Sequence, residues 1–176
     1  VSLTQYYTAT TLDGFIADPE NSLEWLFTRA REEDGPLNYG AFIAEVGAIA
    51  MGSTTYEWVL DHVEEWPYDM PCWVFTHRRL HVVPDASIEV ASGDVAPVHE
   101  KLVEAAGGRN VWIVGGGDLA GQFADAGLLD EVLVSIAPVT LGAGAPLLPR
   151  RVELRLVELG RNGEFVAARF AVVRPV

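Results

Sequence analysis

Gly115, Gly116 and Gly117 stand between an apolar run, Val111 to Val114, and a stretch in which Leu119, Phe123 and Ala126 recur at helical spacing. The run is β-branched and aromatic, the composition of a buried strand. A strand, then bare backbone, then a helix N-terminus leaves free N–H groups against which a phosphate can lie. A tight strand-to-helix turn needs fewer than three glycines, so the triplet points to pyrophosphate contact. Two other strand ends carry groups of the same kind. Met51-Gly52-Ser53-Thr54-Thr55-Tyr56 is a second strand–glycine–helix junction, and Val74-Phe75-Thr76-His77-Arg78-Arg79 ends a strand in a polar, basic turn. If these strands run parallel, the three ends lie along one edge, where ligands of open α/β sheets bind.

Gly115-x-Gly117-x-x-Ala120 also fits the dinucleotide fingerprint. A doubly wound dinucleotide fold should show an acidic residue at the end of the next strand to hold the ribose. Here that strand, Glu131 to Ala137, runs into Pro138, and too little chain follows for a second nucleotide-binding half. Other candidates read less sharply. Asp13-Gly14 is either a turn or a functional loop. Arg78 is either a phosphate ligand or a solvated loop arginine. Trp25, Tyr39 and Trp66 are either core or the lining of a substrate pocket. His77 and His81 lie four apart, but the two arginines between them oppose a cation, and no metal is expected. Cys72, the single cysteine, lies in an apolar run and reads as a buried, inert thiol.

The elements that must position these groups alternate. Leu3 to Ala9 reads as an opening strand. Leu12 to Pro36 is long, acidic and loop-like, with a short helix around Leu23 to Phe27. Leu37 to Val46 carries a helical stripe and Ala48 to Met51 is a short buried strand. A helix then starts near Thr54, where Thr54 and Glu57 have the spacing of a capping box with Thr54 as N-cap. Cys72 to Phe75 and Ser87 to Val90 are strands. Asp94 caps a helix through Ala106 that Gly107-Gly108 ends. After the glycine triplet and the strand at Glu131, Glu153 to Leu159 and Glu164 to Val173 flank Asn162-Gly163, the signature of a type I′ hairpin. The pattern predicts an α/β fold of three layers. A mixed sheet lies between helices and closes in an antiparallel hairpin.

A chain of 176 residues is most simply one domain, 1–176. Its net charge of −13 repels nucleic acid and anionic membranes, so neither is an expected partner. No basic region precedes an apolar stretch at the N-terminus, no run approaches the length of a membrane span, and the cytoplasm is the expected location.

Taken in order, five segments resemble the dihydrofolate reductase superfamily, and within it the branch of the C-terminal reductase domain of bacterial riboflavin biosynthesis. They are Thr11-Leu-Asp-Gly-Phe-Ile-Ala17, Met51-Gly-Ser-Thr-Thr-Tyr-Glu57, Thr76-His77-Arg78, Val114-Gly-Gly-Gly-Asp-Leu119, and Leu129 to Gly142. The resemblance implies NADPH lying along the sheet edge and hydride transfer to a C=N or C=O of a small heterocyclic or sugar-derived substrate. It places the cofactor against Ala9, Ile16, Gly52, Ser53, Thr54, Thr55, Thr76, His77, Arg78, Gly115, Gly116, Gly117, Asp118 and Leu119. It makes the Gly115–Gly116 peptide cis, puts Asp13 in a mobile loop as a substrate-binding and catalytic candidate beside Trp25 and Tyr39, and suggests a homodimer. Three alternatives stand beside it: the 5-amino-6-(5-phosphoribosylamino)uracil reductase of riboflavin biosynthesis, whose substrate phosphate would need a basic partner such as Arg29, Arg31 or a residue of a dimer-mate, dihydrofolate reductase itself, and a nucleotide-binding scaffold without turnover. Ser53 stands where related sequences often carry arginine. Gly35 to Tyr39 offers no carboxylate where folate reductases hold the pterin.

Overall fold

The structure is a computed structural model that describes residues 1–174. Eight strands form one sheet in the order β5-β4-β3-β6-β1-β7-β10-β9. These are β1 (Thr4–Thr11), β3 (Val46–Gly52), β4 (Cys72–Phe75), β5 (Ile88–Ala91), β6 (Asn110–Gly115), β7 (Glu131–Ala137), β9 (Leu154–Asn162) and β10 (Phe165–Val172). From β5 to β7 every neighbouring pair is parallel; β10 then pairs antiparallel with both β7 and β9. The helices are α1 (Glu24–Phe27), α2 (Tyr39–Ala44), α3 (Ser53–His62), α4 (Val95–Ala106) and α5 (Gly117–Asp125). The expected mixed sheet with a closing hairpin is present.

Alternation along the central strands explains the layering, because successive side chains point to opposite faces. Ala48 and Ala50 of β3, Val111 and Ile113 of β6, and Trp73 of β4 pack with Val98 and Leu102 of α4 and Phe123 of α5. Ile49 and Met51 of β3, Trp112 of β6, and Cys72 and Val74 of β4 pack with Phe42 of α2 and Tyr56 of α3. With both faces covered, these strands are apolar apart from Asn110 at the start of β6, as parallel strands usually are. Cys72 is buried, and burial pushes its thiol up to about 12, so it stays protonated.

Several local readings need correction. Within Leu12 to Pro36 lies a strand too short to leave a periodic signal, β2 (Phe15–Ala17), which pairs with β8 (Ala145–Pro146) in a separate ribbon. The capping box at Thr54 does not form. The helix begins at Ser53, its N-cap is Gly52, two residues before Thr54, and no side chain caps it, while Glu57 turns instead to Arg78. The hairpin forms where expected, but Asn162 still pairs with Phe165, so the turn residues are Gly163 and Glu164. Among the described residues of this turn only Gly163 has positive φ, at 58°. That fits glycine at the first position of a type II′ turn rather than the two positive φ values of type I′. Asp94 and Gly107 cap α4 as read: Asp94 accepts from the Ala96 amide and Gly107 is left-handed.

Candidate functional site

The parallel strands bring the C-terminal ends of β4, β3, β6, β1 and β7 to one edge of the sheet. There the chain turns directly from β3 into α3 and from β6 into α5, so both helix N-termini sit at the edge. The caps divide the four longer helices into two kinds, while the single-turn α1 follows Leu23 and has no side-chain cap. Asn38 caps α2 by accepting from the Ala41 amide, and Asp94 caps α4. In contrast, α3 and α5 both start after a glycine, and neither has a side-chain cap. The first-turn amides of a helix lack intrahelical partners. At α5 the first intrahelical bond runs from the Ala120 amide to the Gly116 carbonyl, which leaves the amides of Gly117, Asp118 and Leu119 free of the ladder.

The glycines of this edge differ in what surrounds them. A Cβ on Gly117 would lie 2.2 Å from the Pro146 carbonyl oxygen, and one on Gly115 would lie 3.1 Å from Thr55 Oγ1. These two therefore permit close packing of α5 on β8 and of β6 on α3. A Cβ on Gly116 would meet nothing within 4 Å, so its backbone faces open space. The Gly115–Gly116 peptide is cis. Asp118 puts a negative charge in the first turn of α5, but Arg150 pairs with it at 2.8 Å and Gln122 donates to it at 2.9 Å. The Gln122 bond first and Arg150 second hold its carboxyl below the usual range.

A cleft of roughly 1150 Å³ runs along this edge. One end is lined by Gly52, Ser53, Thr54, Thr55, Gly115, Gly116, Gly117, Asp118 and Leu119, and the middle by Ala9 and Ile16. The far end is aromatic. Tyr7, Tyr39, Tyr68 and Trp112 line it, with ring centroids 6.1 Å apart for Tyr7–Trp112, 6.0 Å for Tyr39–Trp112 and 5.8 Å for Tyr68–Trp112. Phe27 of α1 and Trp58 of α3 stack at 6.0 Å at its side. Burial pushes the Tyr7 hydroxyl up to about 12 and raises those of Tyr39 and Tyr68. These phenols keep their protons at neutral pH, and Tyr7 already donates its own to the Leu37 carbonyl at 2.9 Å.

The structure thus gathers eleven of the fourteen cofactor candidates along one cleft. Thr76, His77 and Arg78 stand outside its lining, yet Arg78 reaches the start of α3, where Nη2 donates to Ser53 Oγ at 3.0 Å and pairs with Glu57 at 3.1 Å. Tyr39 lines the cleft. Trp25 does not: it is buried with Ala137 and Phe165 in a small separate core. Trp66 packs between Tyr56 and Tyr68 in the second core. Asp13 is also outside the lining. Its carboxylate accepts from Thr11 Oγ1 at 2.6 Å and from the amides of Leu141 and Gly142 at 3.1 and 2.8 Å. These bonds, the Thr11 one foremost, hold its pKa below the usual carboxylate value, so the group braces a loop junction and does not face the cleft.

Sequence reasoning missed Tyr7, Trp58, Tyr68, Trp112 and Asn162, while Arg31, a candidate phosphate partner from the sequence, does line the cleft. Three of these were within reach of periodicity. Tyr7 lies two residues before Ala9 on the same strand face, Trp58 lies one helical turn beyond Thr54, and Trp112 lies two before Val114. Arg31 and Asn162 join the cleft only through tertiary contacts.

The RibD C-terminal domain family matches this chain over residues 58–164. The uncharacterized protein YwjB of Bacillus subtilis (strain 168) is 31% identical over 171 residues, covering 95% of this chain and 96% of its own. Among solved structures, a candidate riboflavin biosynthesis protein from Shewanella sp. PV-4 superposes with a TM-score of 0.82 at 24% identity, over 98% of this chain and 99% of that one. Dihydrofolate reductase from Enterococcus faecalis, complexed with NADP(H) and RAB-propyl, superposes with a TM-score of 0.58 at 14% identity, over 97% of this chain and 96% of that one. The two superpositions give the chain an α/β fold of the dihydrofolate reductase type. Among the described residues no helix is long and apolar enough to cross a membrane.

Proposed function

The chain belongs to the RibD C-terminal domain family, and we propose that it is an NADPH-dependent reductase acting on a C=N or C=O of a small heterocyclic or sugar-derived molecule. One observation carries the reading. Two glycine-led, uncapped helix N-termini, α3 and α5, open onto the same cleft, while α2 and α4 are capped by their own side chains. Bare amides at two points along one groove suit the two ends of a dinucleotide's phosphates. The open space beside Gly116 leaves room for them.

In this reading the amides of Gly52 to Thr55 and of Gly117 to Leu119 bind phosphate oxygens, and Arg78, tied to Ser53, offers a guanidinium to a further phosphate. Ala9 and Ile16 are small or aliphatic and let a flat ring lie against the strand. The bound nicotinamide supplies hydride. The chain's own residues supply orientation, and the aromatic end excludes water from the acceptor. Asp13 is assigned to the loop junction and not to proton transfer, because three donors already engage it.

One observation favours the riboflavin-pathway substrate as a second reading. Arg31 lines the cleft and, among the described residues, pairs with no carboxylate, whereas Arg29 is held by the Trp25 carbonyl and Glu164. A ribosyl phosphate could use that free cation. The primary test is titration with NADPH followed by the fluorescence of Trp58 and Trp112. Saturable binding is the expected result. Its absence would leave a nucleotide-free scaffold and sink the reductase reading.

A further inference from the structure

Within residues 29–36, a segment without helix or strand, Arg31, Glu32 and Glu33 line the cleft. Backbone groups in such a segment must find partners elsewhere, and here they find them in one place. Asn162 Oδ1 accepts from the Glu32 amide at 2.7 Å, and Asn162 Nδ2 donates to the carbonyls of Glu32 and Pro36, both at 3.2 Å. Next to it the Glu164 amide donates to the Ala30 carbonyl at 2.9 Å, and the Glu164 carboxylate accepts from the Ala30 amide. Arg29 adds an ion pair to Glu164 at 3.8 Å. The fit is close: a Cβ on Gly35 would lie 2.6 Å from the Asn162 amide, and one on Gly163 would lie 2.3 Å from the Ala30 carbonyl oxygen.

Asn162 is only 6% exposed and is the last paired residue of its strand, so its side chain is not there to make the turn. It needs one acceptor and two donors to satisfy Glu32 and Pro36. An amide has both; aspartate would put acceptors against two carbonyls. Between the Ala30 and Glu32 anchor points lies Arg31, whose charge reaches the Tyr7 hydroxyl and pulls its pKa back down against burial. Glu32 and Glu33 follow it, and all three are exposed and line the cleft, so Arg31 is the cationic member of an otherwise acidic run.

We propose that Asn162 is a positioning residue for the substrate end: through the backbone of Glu32 and Pro36 it fixes Arg31 beside the floor of Tyr7 and Tyr39, where Arg31 receives an anionic group carried by a planar-ring substrate. The hairpin turn, far from the glycine platform in the sequence, is then part of the substrate site. This rests on the reductase reading only for the word substrate, because the anchoring geometry exists without cofactor.

The test uses naphthyl phosphate as a planar anionic probe and naphthol as its neutral counterpart, titrated calorimetrically with and without saturating NADPH. Arg31→Ala and Asn162→Ala should each weaken naphthyl phosphate at least about tenfold, as loss of a charged hydrogen bond does. Naphthol and NADPH affinities should stay within about twofold. In the double variant the two losses should not add, because one residue acts through the other. Additive losses, or a uniform loss for all three ligands, would assign Asn162 a purely structural role and overturn the proposal. Should Asn162→Ala fold poorly by thermal melting, Glu164→Ala removes the outer half of the clamp at an exposed site. It should show the same ligand selectivity in milder form, and wild-type binding of naphthyl phosphate by it overturns the proposal. If NADPH fails to bind while the Arg31–Asn162 coupling holds, the reductase reading falls and the positioning role stands.

Discussion

Replacing Gly116 with alanine should weaken cofactor binding at least about tenfold while leaving the fold almost untouched. Gly116 has φ −89° and ψ −172°, extended backbone open to any residue, and the added methyl would meet no atom within 4 Å. The folding cost is that of alanine in place of glycine as N-cap, about 0.5–1 kcal/mol, or a melting shift of about 1–4 °C in a chain of this size. The binding cost is larger. The methyl would stand in the cleft beside the free amides of Gly117, Asp118 and Leu119, holding a phosphate away from at least one of them. A hydrogen bond to a charged partner contributes about 1.5–3 kcal/mol, which is about ten- to 150-fold in Kd.

Gly117→Ala is the contrasting variant. Its Cβ would lie 2.2 Å from the Pro146 carbonyl oxygen and 2.4 Å from that of Leu147. Both are backbone atoms, so β8 must move, at the roughly 1–3 kcal/mol typical of overpacking. The assay is a pair of curves for each variant, thermal melting and fluorescence titration with NADPH. Gly116→Ala should move the second and barely the first; Gly117→Ala should move the first. A Gly116→Ala protein that binds NADPH with wild-type affinity would refute the phosphate platform, because nothing else about the substitution could compensate.

Three further outcomes follow from other parts of the molecule. Arg78→Ala should lower the affinity for NADPH relative to NADH by about five- to tenfold, a modest figure because the guanidinium is exposed and screened; an unchanged ratio assigns the 2′-phosphate elsewhere. His99 is half-buried against Thr4 Oγ1 at 2.8 Å, and burial lowers its pKa despite the opposing charges of Asp130 and Glu100. The unfolded chain therefore takes up the proton first. The stabilisation is fully present above about pH 6.5 and is lost as pH falls from there through the folded value, so urea midpoints should drop less on acidification in His99→Gln than in wild type. Finally, Leu154, Leu156 and Leu159 of the edge strand are exposed and pair with Val172, Phe170 and Ala168 on the α4–α5 side of the sheet. The expected homodimer buries that face, so Leu156→Glu with Leu159→Glu should sediment as a monomer; a wild-type monomer at all concentrations contradicts the expectation.

The parts of the fold that were readable are those written in contiguous sequence. Ala48 to Met51, Cys72 to Phe75 and Val111 to Val114 announce buried parallel strands because both faces are covered. Asp94 and Gly107 announce α4 because a cap acts within one turn of its own helix. The failures share a cause. Thr54 and Glu57 match a capping box in spacing, but Gly52 caps the helix two residues earlier and Arg78, from the turn after β4, takes Glu57. Asn162-Gly163 matches a turn in composition, but the asparagine is claimed by Glu32 and Pro36, some 130 residues away at Glu32. In each case a long-range partner outbids the local motif.

The same distinction explains why the cofactor end of the cleft can be read from sequence and the substrate end cannot. The platform needs only bare amides at two helix starts, and each start is a strand, a glycine and a helix in unbroken order, at Met51 to Thr55 and at Val114 to Leu119. The substrate end draws Tyr7 from β1, Arg31 from an irregular segment, Tyr68 from a loop, Trp112 from β6 and Asn162 from the terminal hairpin. No two of these share a motif, and each reads singly as core or surface. Only when β7, β10 and β9 extend the sheet does the hairpin turn reach residues 30–36 and give that wall its shape. On the proposed reading, substrate choice then depends on how the C-terminal hairpin holds a wall with no regular structure of its own.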